Sequence, residues 1–185
     1  MKNKLMLLLA VLWLAGCAGS QRYTYYVEPT PLVAEQSKYV LGNVDVQLTL
    51  GHGAIEGDRT FASQRELQQE FAQYLQHFLE QSGHAAKDSA SADATIDVVI
   101  DYKRTFNYGG HALNKPEVEH AIVLSKNGTK LASFEQGPYT TKYSYLEDLA
   151  VNLKIASFNW DQEDEPRDVS LIAEHLIKDV TQIGQ

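Results

Sequence analysis

The sequence predicts an α+β domain: a four-stranded mixed or antiparallel sheet with helices packed on one face, in the order β-α-β-β-β-α-α. Three observations carry this. Apolar and polar residues alternate with period 2 over 39–50, 96–102, 118–125 and 129–136. Apolar residues recur at helical spacing over 63–82, 144–158 and 166–180. Glycine, proline and asparagine punctuate the intervals between these stretches.

The chain starts with Lys2 and Lys4, followed by an apolar run from Leu5 to Leu14. A basic start, a short apolar core and small residues after it make residues 1–16 a secretory signal peptide. The run is shorter than the roughly 20 residues a transmembrane helix needs. Its closing tetrapeptide, Leu14-Ala15-Gly16-Cys17, resembles the lipobox of bacterial lipoproteins. That resemblance implies diacylglyceryl transfer to the Cys17 thiol, cleavage before Cys17 and acylation of the new amine. It also gives Ala18 a meaning. An Asp there tends to retain such proteins in the inner membrane of Gram-negative hosts, so Ala18 implies the outer membrane, with the domain facing the periplasm.

The precursor has 16 basic and 24 acidic residues, a net charge of −8. Loss of residues 1–16 removes Lys2 and Lys4 and leaves −10. Such a surface disfavours nucleic acid and anionic lipid headgroups as partners. Cys17 is the single cysteine and lipidation consumes it, so stability must come from a core rather than a disulfide. Residues 39–185 are enough for one core of ordinary size.

Residues 17–38 read as the lipidated cysteine and a flexible tether, since Gly19, Ser20, Pro29, Pro31 and Ser37 show no period. Fully extended, residues 18–38 reach at most about 70 Å. Tyr23, Tyr25 and Tyr26 are unusual in a passive linker and suit a short strand or a segment laid on the domain surface; an interfacial aromatic contact with lipid and a partner-binding segment are the other readings. A first strand spans Tyr39 to Leu50, with Val44, Val46, Leu48 and Leu50 on one face. The loop that follows holds Gly51, Gly53 and Gly57. It lacks both the Gly-Lys-Ser/Thr ending of a P-loop and the spacing of a dinucleotide site.

Ser63-Gln64-Arg65-Glu66 is a capping box. Leu67, Phe71, Tyr74, Leu75, Phe78 and Leu79 then form one apolar helix face, and Gly83 supplies a left-handed stop. Ile96, Val98, Ile100 and Tyr102 mark the second strand, with Asp97 and Asp101 on its other face. A long connection over 105–117 is expected to project and offer Phe106, Tyr108 and His111 as partner-contact residues. Asn127-Gly128 predicts a hairpin between the third and fourth strands. Gly137-Pro138 is expected to end the fourth. Ser144 to Glu147 is a second capping box, opening a helix that ends near Phe158, whose apolar stripe Leu146, Leu149, Ala150, Leu153 and Ala156, with Trp160 as a candidate extension, is expected to face the core. The last helix starts at Pro166 or Asp168 and buries Val169, Ile172, Ala173, Leu176 and Val180.

No arrangement of residues carries a catalytic signature. Asp97 and Asp101 fit a solvent-facing strand better than an acid/base pair. The acidic loop 161–165 lacks calcium-loop spacing and its glycine. The six histidines contain no His-x-x-x-His pair. No Gly-x-Ser-x-Gly elbow is present. No catalytic residue, cofactor or metal is therefore expected.

The lipobox, the helix at Arg65–Gly83, the hairpin Leu124–Leu131 and the closing helices together resemble the small outer-membrane lipoproteins of the YajG type. The resemblance covers residues 1–180, with the lipobox its one specific motif, and implies no catalytic residues. The expected function is a membrane-tethered, non-enzymatic binding or assembly module of the cell envelope, with an envelope protein as partner. The alternatives are a lipoprotein that handles lipid for an envelope transporter, and an envelope hydrolase.

Overall fold

The computed structural model describes residues 23–107 and 112–185. Among these the chain forms β1 (Thr24–Tyr25), β2 (Tyr39–Leu50), α1 (Gln64–Gln81), β3 (Ala94–Arg104), β4 (Glu117–Lys126), β5 (Thr129–Thr140), α2 (Tyr145–Ala156) and α3 (Glu165–Thr181). The strands make one mixed sheet in the order β1-β5-β4-β3-β2. β2 and β3 are parallel neighbours joined through α1, and the other pairs are antiparallel. The α+β class and the element order from β2 onward are as expected. The sheet has five strands rather than four.

The fifth strand comes from the stretch read as a tether. Thr24 and Tyr25 pair with Ser133 and Ala132 on the edge of β5. Tyr23 packs edge-on against Phe134, with ring centroids 5.4 Å apart. The Tyr25 hydroxyl lies 3.3 Å from the Gly184 carbonyl, and Leu32 is fully buried in the core. The Glu35 amide donates to the Thr181 carbonyl at 2.8 Å. The domain therefore begins by Tyr23 at the latest. Two paired residues and a single buried leucine are too few to leave a periodic signal.

Alternation sets the two faces of the sheet. In β3, Ala94, Ile96, Val98, Ile100, Tyr102 and Arg104 point toward the helices and are buried. In β4 the same side carries Val118, His120, Ile122 and Leu124. α1 and α3 cover this face. Leu67, Phe71, Leu75 and Leu79 come from α1, and Val169, Ile172, Ala173, Leu176 and Val180 from α3. The capping box of α1 forms as expected: the Glu66 amide donates to the Ser63 hydroxyl, and the Glu66 carboxylate accepts from the Ser63 amide at 2.8 Å. Donation from the Ser63 amide, and from the Ser63 hydroxyl at 2.7 Å, holds the Glu66 carboxyl below its ordinary range.

β5 does not stop at Gly137-Pro138 but runs on to Thr140. The ladder with β4 slips between Val118 and His120, where Gly137 and Pro138 stand opposite the single residue Glu119, so the bulge lies in β5. A Cβ on Gly137 would lie 2.8 Å from the Glu119 Cα, so this close approach needs a glycine. Pro138 is tolerated because it falls at the bulge rather than in the paired ladder. The hairpin turn at Asn127-Gly128 has φ of 52° and 78°, the left-handed pair that a two-residue turn requires.

The orientation of α2 overturns an expectation. Its stripe faces outward: Tyr145 is 86% exposed, Leu146 76%, Leu149 55% and Leu153 62%, with Phe158 just beyond the helix at 58%. Val151 is the one residue of α2 that is fully buried. It sits with Phe61, Phe106, Leu113 and Trp160 in a small second core at the end of the sheet. Half-buried Ile155 packs against that cluster.

Phe71→Ala should cost about 3–5 kcal/mol, as removal of a buried aromatic does, whereas Gln69→Ala should change stability by under about 0.5 kcal/mol. Within α2 the contrast separates the two faces: Val151→Ala should cost about 2 kcal/mol and Leu153→Ala under about 0.5 kcal/mol. Urea unfolding of the four variants measures this, and a larger loss for Leu153→Ala than for Val151→Ala would reverse the assigned orientation.

Candidate functional site

Three strand ends meet where β3 stops, β4 starts and β5 stops. Lys103 pairs with Glu117, and Glu117 with Thr140. The functional features of the described residues gather at this end. Beneath α2 lies a buried polar hub. Arg104 is the last residue of β3 and Glu165 the first of α3. The Arg104 Nε and Nη2 donate to the two Glu165 oxygens at 2.7 and 2.9 Å. Nη2 also donates to the Ala62 carbonyl at 2.7 Å, just ahead of α1. The Tyr102 hydroxyl donates to Glu165 at 3.3 Å.

One turn along α3, Asp168 accepts from the Thr141 hydroxyl, from the Tyr143 hydroxyl at 2.7 Å and from the Trp160 Nε1 at 3.2 Å. These donors come from the β5–α2 connection and from the residues just before α3. Burial pushes both the Glu165 and Asp168 carboxyls up, while Arg104 in one case and the three donors in the other pull back toward the charged form. Both carboxylates are committed to holding elements together. The arrangement fixes the sheet end and leaves neither acid facing a cleft with a free proton to exchange.

Sequence reasoning missed this hub, although its signal is present. Arg104 continues the inward series 96, 98, 100, 102. Glu165 and Asp168 fall in phase with Val169 and Ile172 on the core face of α3. Charged residues in register with core positions mark a buried pair.

The expected contact residues separate. Phe106, expected to project, is 5% exposed and packs edge-on against Phe61 at 5.1 Å. The connection turns back on itself there, with the Asn107 amide donating to the Ala112 carbonyl at 2.8 Å. Phe106 is thus a packing residue rather than a surface anchor. Tyr108, His111 and Cys17 lie outside the described residues.

Asp97 and Asp101 sit on the open sheet face, four residues apart along β3 or about 13 Å by strand rise, too far to share a proton. The Asp97 Oδ1 instead accepts from the Asn43 amide at 2.8 Å. That face carries Val99, Ala121 and Val123, but Asp101, Glu119 and Glu135 frame a shallow depression in it, so it is acidic rather than apolar. The acids of loop 161–165 point to different partners. Asp164 pairs with Lys154 at 2.8 Å and Glu165 with Arg104. A separate cleft of about 220 Å³ between the end of β5 and α3 is lined by Tyr139, Lys142, Glu174, His175 and Lys178, a mixed set with no convergent acids.

No protein-family model and no curated protein matches the chain. Two solved structures share a loose likeness. One is a neuraminyllactose-binding hemagglutinin homolog from Helicobacter pylori, 11% identical, covering 85% of this chain and 88% of that one, with a TM-score of 0.36. The other is a dodecamer of a PelC variant from Paraburkholderia phytofirmans, 14% identical, covering 80% and 96%, with a TM-score of 0.24. Likeness at this level says nothing about what the chain binds.

Arg104→Met leaves Glu165 buried without its partner and should cost about 3–5 kcal/mol. Adding Glu165→Leu should recover part of that loss, because both charges are then gone. A pH series supplies a second measurement. With folded values held above the unfolded ones, the folded chain binds protons that the unfolded chain releases as pH climbs above about 4. The contribution of Asp168 and Glu165 is therefore greatest below that point and is lost as pH rises through their folded values. Urea unfolding across about pH 4 to 7 should show a shallower decline for Asp168→Asn than for wild type.

Proposed function

We propose that this chain is a bacterial lipoprotein, anchored through Cys17 in the outer membrane with its domain facing the periplasm. There it acts as a non-enzymatic binding or assembly module for an envelope protein. The observation that carries this reading is the basic, apolar and small-residue sequence that closes on Leu14-Ala15-Gly16-Cys17. The folded domain supports it in two ways. The acids of its buried hub are taken up by structural donors, and its open sheet face offers a broad acidic surface rather than a closed pocket. Such a face suits a basic patch on a partner, and that contact should weaken with salt. Tyr108 and His111 stay in this reading as further contact residues of the connection after β3.

Palmitate labelling tests the anchor. Cys17→Ala should abolish the label and leave an unprocessed or misprocessed precursor. Ala18→Asp should shift the protein toward the inner-membrane fraction. Label persisting in Cys17→Ala overturns the lipoprotein reading. Envelope crosslinking and pull-down test the module. Asp101→Lys with Glu119→Lys should cut partner capture, whereas Asp97→Ala and His120→Ala should each keep envelope function wherever they fold. A single acid or histidine variant that folds and captures partner normally yet loses all function returns the protein to the enzymes.

A further inference from the structure

We infer that the outer face of α2 lies on the lipid bilayer that holds the anchor, as a second, non-covalent membrane contact. The inference rests on the Cys17 lipid anchor proposed above. Helical spacing places Tyr145, Leu146, Leu149, Ala150, Leu153 and Ala156 on one stripe, opposite buried Val151 and half-buried Ile155. The side that meets water is thus the apolar side of the helix. An apolar stripe with an aromatic at each end, Tyr145 and Phe158, matches a helix lying in the headgroup boundary.

The position of the anchor selects lipid as the occupant. β1 runs antiparallel to β5, so the chain enters β1 from the side of Thr140, the sheet end that α2 covers. Six peptide steps separate Cys17 from Tyr23, a reach of at most about 21 Å. The stretch of β5 from Ser133 to Thr140 spans about 23 Å. Those six steps are long enough for an acylated Cys17 to bring the α2 end of the domain to the membrane.

Charge and size argue the same way. Both acids of the first turn of α2 are neutralised, Glu147 by Arg167 at 3.0 Å and Asp148 by Lys115 at 2.5 Å. No unpaired acid on the helix thus opposes the headgroups. A second copy fits less well. The stripe is about 18 Å long and about 10 Å wide, far below the ~800 Å² per partner of a stable protein interface.

The test uses the processed, lipidated full chain in phosphatidylcholine vesicles. Cys17 is acylated there, so Leu149→Cys supplies the single free thiol for a bimane label, and Gln81→Cys at the far end of α1 is the control. Brominated acyl chains should quench bimane at position 149 at least twofold more than at 81. In a chain that starts at Ala18, with neither signal peptide nor acyl group, Leu149→Glu with Leu153→Glu should lower vesicle partitioning at least tenfold, with an unchanged melting curve. Equal quenching at both positions in palmitate-labelled protein overturns the inference and leaves the anchor standing. So does disulfide dimerisation through position 149 without quenching, which would seat a second copy on α2. Absence of the palmitate label overturns the anchor reading and this inference with it.

Discussion

The buried pair of Arg104 and Glu165 is the constraint on which this architecture depends. It joins the last residue of β3 to the first residue of α3, and through the Ala62 carbonyl it also touches the approach to α1. The two elements that cover the sheet are thereby fixed at the same end. A pair this enclosed gains its worth from completeness. The guanidinium donates to both Glu165 oxygens and to a carbonyl, and the carboxylate receives Tyr102 as well. With the desolvation of both ions offset only by this geometry, neither partner can be removed alone without leaving a buried charge.

Asp168 extends the same logic outward. By gathering Thr141, Tyr143 and Trp160 it fixes the connection between β5 and α2 and closes the small second core over Phe61, Phe106 and Leu113. α2 rests on this minor core. Its footing there is narrow: Val151, part of Ile155, the Asn107 side-chain donor to the Ile155 carbonyl and three ion pairs at its rim. The broad apolar face of the sheet is already filled by α1 and α3. A third helix placed at the sheet end has no comparable surface on which to bury its own stripe.

The segment before β2 changes how the domain relates to its anchor. A free tether of 21 residues would let the domain roam about 70 Å from the membrane. With Tyr23, Tyr25 and Leu32 built into the core, the remaining reach falls to about 21 Å, and the direction of the exit is fixed by pairing with β5. Close tethering raises the local concentration of every surface of the domain at the bilayer. It favours contacts that are too small to hold by themselves.

By itself the sequence determined which stretches become strands and helices, because period 2 and period 3.6 are properties of neighbouring residues. The strand from Tyr39 to Leu50, the capped helix ending before Gly83, the Asn127-Gly128 turn and the buried stripe of α3 were all legible for that reason. The α+β class followed from their order. What only the tertiary structure decided was the destination of each face. The stripe of α2 follows the same helical spacing as that of α1, yet it points to solvent, since periodicity reports that two faces differ and not what each one meets. Phe106 went inward, and Thr24 and Tyr25 became an edge strand, through contacts with residues more than twenty-five positions away. Arg104, Glu165 and Asp168 were readable as charges in phase with core positions, but their pairing required three chain segments to converge. Local periodicity is written in the chain; which apolar surface is covered, and by what, depends on the finite area the other elements leave free.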